Sequence, residues 1–181
     1  MNPNINTDAS ADPRVLIVED EPQLRDLLGR MCSELGFGSE AVASGEQALT
    51  KLREDEGTYE LLLLDLNLPG IDGIDLLERV REMEQSGRAT SAATSRGVVI
   101  LTGFGDLDAA RRAIRLNVAD FLTKPCHLGE LETALDRATR HWRASCPAQL
   151  EHHHEFMEEH EEPAAKTTQP PQPKPGQTTE E

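Results

Sequence analysis

Cysteine is scarce in this chain, and its three copies show neither metal-type spacing nor a disulfide framework. Cys32, Cys126 and Cys146 lie far apart, and an odd number fits poorly with complete pairing. We therefore expect reduced thiols, which are typical of a cytoplasmic protein. Cys32 and Cys126 are interpreted as small buried or half-buried apolar residues rather than redox sensors.

Positive charge is also in short supply, with 18 Lys and Arg against 33 Asp and Glu and a formal net charge of −15. The phosphate backbone of a nucleic acid would be repelled by such a chain, so we expect no direct nucleic-acid ligand. Clustered carboxylates could instead hold a divalent cation or face a basic partner.

Long apolar runs are missing as well. No run approaches the roughly 20 residues that span a bilayer. The N-terminal stretch MNPNINTDASADPR has no apolar core of the kind found in a signal peptide. We expect a cytoplasmic location and no membrane partner.

Short apolar segments alternate with segments of helical periodicity, five of each. The predicted strands are 14–18, 38–42, 61–65, 98–102 and 119–123. They are apolar throughout rather than alternating, so both faces of the sheet should be covered. This pattern predicts an α/β fold, with a doubly wound, five-stranded parallel sheet and five flanking helices. One folded domain is expected over 14–145, between a disordered arm (1–13) and a disordered acidic and Pro/Gln-rich tail (146–181).

Several helix boundaries carry local signals. Glu21-Pro22 is typical of a helix start, Gly36 of a helix end, and Ser44 with Gln47 of a capping box. Asp106 is a candidate cap for the fourth helix. Inward-facing positions are expected at Leu24, Leu27, Leu28, Met31 and Leu35 of the first helix, and at Ala110, Ala113 and Ile114 of the fourth.

Polar side chains stand where four of the strands end. The segment LLLLDLNLPGIDG delivers Asp65 to the tip of a leucine strand and then turns at Pro69, Gly70 and Gly73. Glu19 and Asp20 follow the first strand, Thr102 ends the fourth and Lys124 follows the fifth. The carboxyl ends of parallel strands lie at one sheet edge, where ligands bind. We therefore expect three carboxylates, a hydroxyl and an ammonium to converge.

This set of groups suits phosphoryl transfer. Three neighbouring carboxylates repel one another unless a cation lies between them, and hard oxygen ligands favour Mg²⁺ or Mn²⁺. Asp65 could then attack a phosphoryl group, while Thr102 and Lys124 share the charge of that group. The turn after Asp65 would bring a backbone carbonyl, that of Asn67, to the metal.

Four segments together resemble a bacterial response-regulator receiver domain: LIVEDEP, LLLLDLNLPGIDG, VVILTGFGD and ADFLTKP. The resemblance implies the flavodoxin-like fold of chemotaxis regulators, with strand order 2-1-3-4-5. It implies that Asp65 becomes a 4-aspartylphosphate by accepting phosphate from a histidine kinase or a histidine phosphotransfer protein. The metal residues implied are Glu19, Asp20, Asp65 and Asn67.

The same resemblance assigns Thr102 and Lys124 to phosphoryl binding, Thr102 and Phe121 to the switch, and a cis peptide bond to Pro125. Glu19 replaces the more usual aspartate, and Asn117-Val118 replaces the usual Gly-Ala. A longer loop, 86–97, enters the fourth strand away from the site. Phe104 is expected to cover the approach of water to phosphorylated Asp65 and so to slow dephosphorylation.

Other interpretations remain open at this point. Asp65 alone could be an ordinary strand-end acid, and Phe121 could be a simple core residue. Three arginines, Arg111, Arg112 and Arg115, are interpreted as a solvated helix face rather than a dimer surface. A transition metal on His152, His153 and His154 is disfavoured because that tract lacks fixed geometry.

Two other functions compete with the signalling module. A haloacid-dehalogenase-like phosphatase would be a true enzyme, but its second aspartate is replaced here by Asn67, which cannot transfer that proton. A transcription factor would carry a DNA-binding domain after the receiver, and no helix-turn-helix pattern follows the last helix. A truncated or tail-modified transcriptional regulator, which has lost that domain, therefore stays as the alternative. We expect a non-enzymatic receiver acting on a downstream protein of unknown identity, with phosphorylation-dependent dimerisation kept as a hypothesis.

Overall fold

Ten elements alternate along the chain in this computed structural model, which describes residues 13–55, 57–86, 95–103 and 107–145, the side chains of 107–110 excepted. The tail, the histidine tract, Phe104, Asp106, Cys146, most of the arm and most of the 86–97 loop lie outside those ranges. The elements are β1 (Val15–Val18), α1 (Pro22–Glu34), β2 (Ser39–Val42), α2 (Gly45–Glu54), β3 (Leu61–Asp65), α3 (Gly73–Gln85), β4 (Gly97–Thr102), α4 (Leu107–Arg115), β5 (Asp120–Thr123) and α5 (Leu128–Ala144).

The sheet is parallel throughout, with strand order β2-β1-β3-β4-β5. The predicted fold class and strand order are therefore confirmed. The order reverses between β1 and β3, so the carboxyl ends of these two strands flank the position where ligands bind in such sheets. The five strands match the predicted segments to within one residue at each end.

Side chains of the central strands alternate between two apolar cores. Leu16, Leu62 and Ile100 face the core that α2, α3 and α4 cover. Ile17, Leu63 and Val99 face the core that α1 and α5 cover. Burial on both faces explains why these strands are apolar at consecutive positions.

Helix starts follow their local signals. Glu21 is the N-cap of α1, with Pro22 in the first turn. The Ser44 hydroxyl accepts a hydrogen bond from the Gln47 amide at 3.3 Å. The Gln47 side chain accepts from the Ala43 amide at 2.9 Å, one residue before the position expected for a capping box.

Two inward-facing predictions are wrong. Leu27 is 42 % exposed and Ile114 is 65 % exposed. Both residues lie beside buried neighbours, Leu28 and Ala113, and the helical repeat places them just outside the stripe that meets the sheet. Within the ranges given above, no helix combines the length and the apolar character that crossing a membrane requires.

Candidate phosphoryl-acceptor site

The end of β1 places two acids at the sheet edge. Glu19 continues the pairing with β2, since its amide donates to the Val42 carbonyl at 3.1 Å, and its side chain is completely buried. Asp20 is the next residue and is exposed. The Glu19 carboxylate accepts from the Glu21 amide at 3.3 Å, so the bend between strand and helix holds this side chain.

The end of β3 places Asp65 beside them. Asp65 is 2 % exposed, and its Oδ1 accepts from the Asn67 amide at 3.0 Å. Gly73 closes the turn by donating its amide to the Leu66 carbonyl at 3.0 Å. A Cβ atom on Gly73 would lie 2.3 Å from the Asp65 carbonyl oxygen, so only glycine permits this approach. The turn residues thus hold the strand tip, and its carboxylate, in place.

Lys124 joins the two strand ends. Its Nζ lies 2.6 Å from Asp65 Oδ2 and 2.7 Å from Glu19 Oε2. The Lys124 amide donates to the Thr102 carbonyl at 2.9 Å, and the Lys124-Pro125 peptide bond is cis. An ammonium on the residue after β5 therefore reaches across β4 to the carboxylates at the ends of β1 and β3.

Three carboxylates and one ammonium leave this edge negatively charged. One carboxylate oxygen from each of Glu19, Asp20 and Asp65 lies within 4.8 Å of the other two. Burial raises the pKa of Glu19 above its ordinary value, and the nearby Asp65 charge adds to the rise, although Lys124 opposes it. Glu19 Oε2 is buried and, apart from its ion pair with Lys124, makes no hydrogen bond to the described residues. These oxygens fit a hard divalent cation.

Thr102 and Phe121 lie at and near the ends of the neighbouring strands. The Thr102 hydroxyl donates to the Gly103 carbonyl at 3.0 Å and is half-buried. Phe121 is half-buried and packs against the core beneath α3 and α4. Thr102 therefore lies at the expected edge, with its hydroxyl engaged by its own loop.

A family model described as the response regulator receiver domain matches residues 15–136. The chain belongs to the response regulator receiver domain family. The receiver domain of a two-component system is a signalling domain controlled by phosphorylation, and the predicted family membership is confirmed.

Individual relatives agree with this assignment. The receiver is 33 % identical over 138 residues to the transcriptional regulatory protein TcrA of Mycobacterium tuberculosis, covering 76 % of this chain and 50 % of that protein. It is 32 % identical over 127 residues to sporulation initiation phosphotransferase F of Bacillus subtilis, covering 68 % and 91 %. The chain thus spans about half the length of TcrA.

A solved receiver structure shows the same fold. The receiver protein from Pseudomonas putida superposes with a TM-score of 0.61 at 26 % identity, covering 71 % of this chain and 98 % of that one. The family model, at residues 15–136, covers all the strand-end residues described above.

One contact at the receiver site is not indicated by the sequence motifs. Arg25 extends back from α1, and its Nη1 donates to the carbonyls of Glu19 at 2.9 Å and Asp20 at 3.0 Å. An arginine five residues after an acid pair, on an amphipathic helix, resembles an ordinary solvated side chain. Only the fold of the β1–α1 bend reveals its partners.

Proposed function

We propose that Asp65 accepts a phosphoryl group from a phosphohistidine of a kinase or phosphotransfer protein and thereby switches a protein-interaction surface. The observation that carries this proposal is the position of Asp65, buried at a strand tip between Lys124 and the acid pair. The phosphorus–nitrogen bond of the donor breaks as a phosphorus–oxygen bond to Asp65 forms. The departing imidazole nitrogen takes up a proton from solvent.

The residues around Asp65 have separate roles in the proposal. Glu19, Asp20, Asp65 and the Asn67 backbone carbonyl would hold Mg²⁺ or Mn²⁺, which supplies charge neutralisation to the phosphoryl oxygens when bound. Lys124 is already within 2.6 Å of Asp65 and would shift to the transferred phosphoryl group. The ion pair with Glu19 keeps Lys124 at the site before transfer.

Thr102 and Phe121 form the proposed switch. After transfer, the Thr102 hydroxyl would leave the Gly103 carbonyl and donate to a phosphoryl oxygen. Phe121 lies on the adjacent strand and is only partly buried, and its ring would change position together with Thr102. A changed surface around β4 and β5 would then be recognised by a downstream protein.

The test is phosphorylation by acetyl phosphate with Mg²⁺, followed by intact-mass measurement. We expect the wild type to gain one phosphoryl group and Asp65→Asn to gain none. Asp26→Asn is the matched control, because Asp26 is exposed on α1, and it should be labelled like the wild type. Equal labelling of the Asp65→Asn protein would refute the assignment of the acceptor.

A further inference from the structure

Arg25 makes contacts that the proposed phosphoryl transfer does not by itself explain. Its backbone amide donates to the Glu21 carbonyl at 2.9 Å, as expected in the first turn of α1. Its side chain reaches further back along the chain, and a single guanidinium nitrogen bridges the carbonyls of Glu19 and Asp20. These two carbonyls precede the helix and belong to the residues that carry two of the three clustered carboxylates.

Asp20 depends on this bridge more than the other two acids do. Asp65 is held by the Asn67 amide and by Lys124, and Glu19 is held by the Glu21 amide and by Lys124. Across the described residues, the Asp20 carboxylate has no hydrogen bond or ion pair of its own, and the residue is exposed. The backbone that Arg25 holds therefore fixes the point from which this side chain extends.

We propose that Arg25 is a positioning residue for the divalent-cation site, acting through the backbone of Glu19 and Asp20. The inference rests on the proposed metal-binding function. A guanidinium suits this task because its donors lie in a rigid plane, whereas the three donors of an ammonium rotate freely on a flexible stem. With the peptide of Asp20 fixed, one of its carboxylate oxygens already lies within 4.8 Å of an oxygen of Glu19 and of Asp65, so less ordering is required when the cation binds.

If only the charge of Arg25 matters, its removal should strengthen Mg²⁺ binding rather than weaken it. A positive charge near a cation site disfavours Mg²⁺, so its removal would then strengthen binding. If Arg25 acts by positioning, its removal must weaken binding. The direction of the change in Mg²⁺ affinity thus separates the two roles, whereas a purely structural role would change stability without changing affinity.

The experiment is a titration of the full chain with MgCl₂ at constant ionic strength. Binding is monitored through backbone amide chemical shifts, at a temperature well below that of unfolding. For Arg25→Ala we expect the Mg²⁺ dissociation constant to rise by about tenfold, as for other groups that orient metal ligands. Arg25→Lys keeps the charge and the capacity to donate but loses the rigid planar geometry, so its loss of affinity should be smaller. Arg30→Ala removes the same charge from an exposed position of α1 and should match the wild type.

The outcomes are distinguishable. Equal dissociation constants for Arg25→Ala and Arg30→Ala, or tighter binding in Arg25→Ala, would overturn the positioning role while leaving the metal site intact. Absence of any Mg²⁺ response in the wild type would overturn both this inference and the metal part of the proposed function. If Arg25→Ala does not fold, Arg25→Lys decides the question. Weakened binding in that folded variant supports the proposal, and unchanged binding contradicts it.

Discussion

Burial and the neighbouring negative charges shift the pKa of Lys124 in opposite directions. Burial alone would lower the pKa of this ammonium, but hydrogen bonds and attraction to Asp65 and Glu19 outweigh burial and raise the pKa. Lys124 therefore carries its charge at neutral pH, as the proposed charge compensation of a phosphoryl group requires. Arginine could not replace it easily, because the site accommodates a compact point charge between two carboxylates 2.6 and 2.7 Å away.

Tyr59 allows the effect of burial and of a charged partner on a pKa to be measured at one residue, because it is the only tyrosine in the chain. It is 2 % exposed, and its hydroxyl donates to the Glu40 carboxylate. Burial first, and the hydrogen bond to Glu40 second, raise the pKa of Tyr59 from 10.0 to about 12. We expect tyrosinate absorbance in the folded protein to rise near that higher pH, and near the ordinary value after unfolding in denaturant.

The sign of the stability effect follows from that raised pKa. The contribution of Tyr59 is complete below the unfolded value of 10.0 and is lost as the pH rises toward about 12. In Tyr59→Phe this loss should disappear from the alkaline stability profile. In Glu40→Gln the absorbance midpoint should fall without reaching 10.0, since burial remains. A wild-type midpoint already near 10 would contradict the prediction.

A buried ionic network connects α3 to two other segments. Arg81 donates to the Glu84 carboxylate at 2.8 Å, and also to the carbonyls of Leu116 at 2.9 Å and Asn117 at 3.0 Å. Arg96 contributes a second cation, 3.2 Å from Glu84. The network therefore joins α3 to the segment before β4 and to the turn between α4 and β5. Asn117 adopts a positive φ of 57° in that turn, which asparagine tolerates better than most residues.

Removal of Arg81 should destabilise the receiver strongly. Arg81→Ala leaves the carbonyls of Leu116 and Asn117 without this donor and reduces the charge compensation of buried Glu84. We expect a loss of about 3 kcal/mol in the free energy of unfolding, measured by denaturant titration. Arg79→Ala is the control, because Arg79 is exposed on the same helix, and its effect should stay within about 0.5 kcal/mol. Similar losses in both variants would show that the network adds no specific stability.

The sequence predicts the strands and part of the packing between helices and sheet, but not all of it. The five strands and their two-sided burial were predictable because apolar runs between turn residues have few alternatives. The exposure of Leu27 and Ile114 was not, since both residues lie at the margin of a helical stripe. Arg81 and Glu84 look like a surface pair at i,i+3 spacing, and only the approach of segments far along the chain reveals their burial.

For the whole molecule, strand topology explains why distant residues meet. Glu19, Asp65 and Lys124 come from three different strand ends, and their convergence was predictable once the sheet was taken as parallel. The bridge made by Arg25 was not, because it depends on how the backbone bends between β1 and α1. The predicted boundaries of the domain, arm and tail stay predictions, since the tail and most of the arm lie outside the described residues.

Occupancy of the acid cluster should change the stability of the whole receiver. Three carboxylates are held together in the folded state, one of them completely buried, while the unfolded chain lets them separate. A cation that binds only the folded state stabilises it by about 2.7 kcal/mol at one hundred times its dissociation constant. MgCl₂ should therefore raise the thermal unfolding midpoint, whereas NaCl of equal ionic strength should not.

In Asp20→Asn the metal-free protein should be at least as stable as the wild type, because one repelling charge is removed, yet the response to Mg²⁺ should be largely lost. A full Mg²⁺ response in that variant would mean that the cation binds elsewhere, and an equal response to NaCl would reduce the effect to general charge screening.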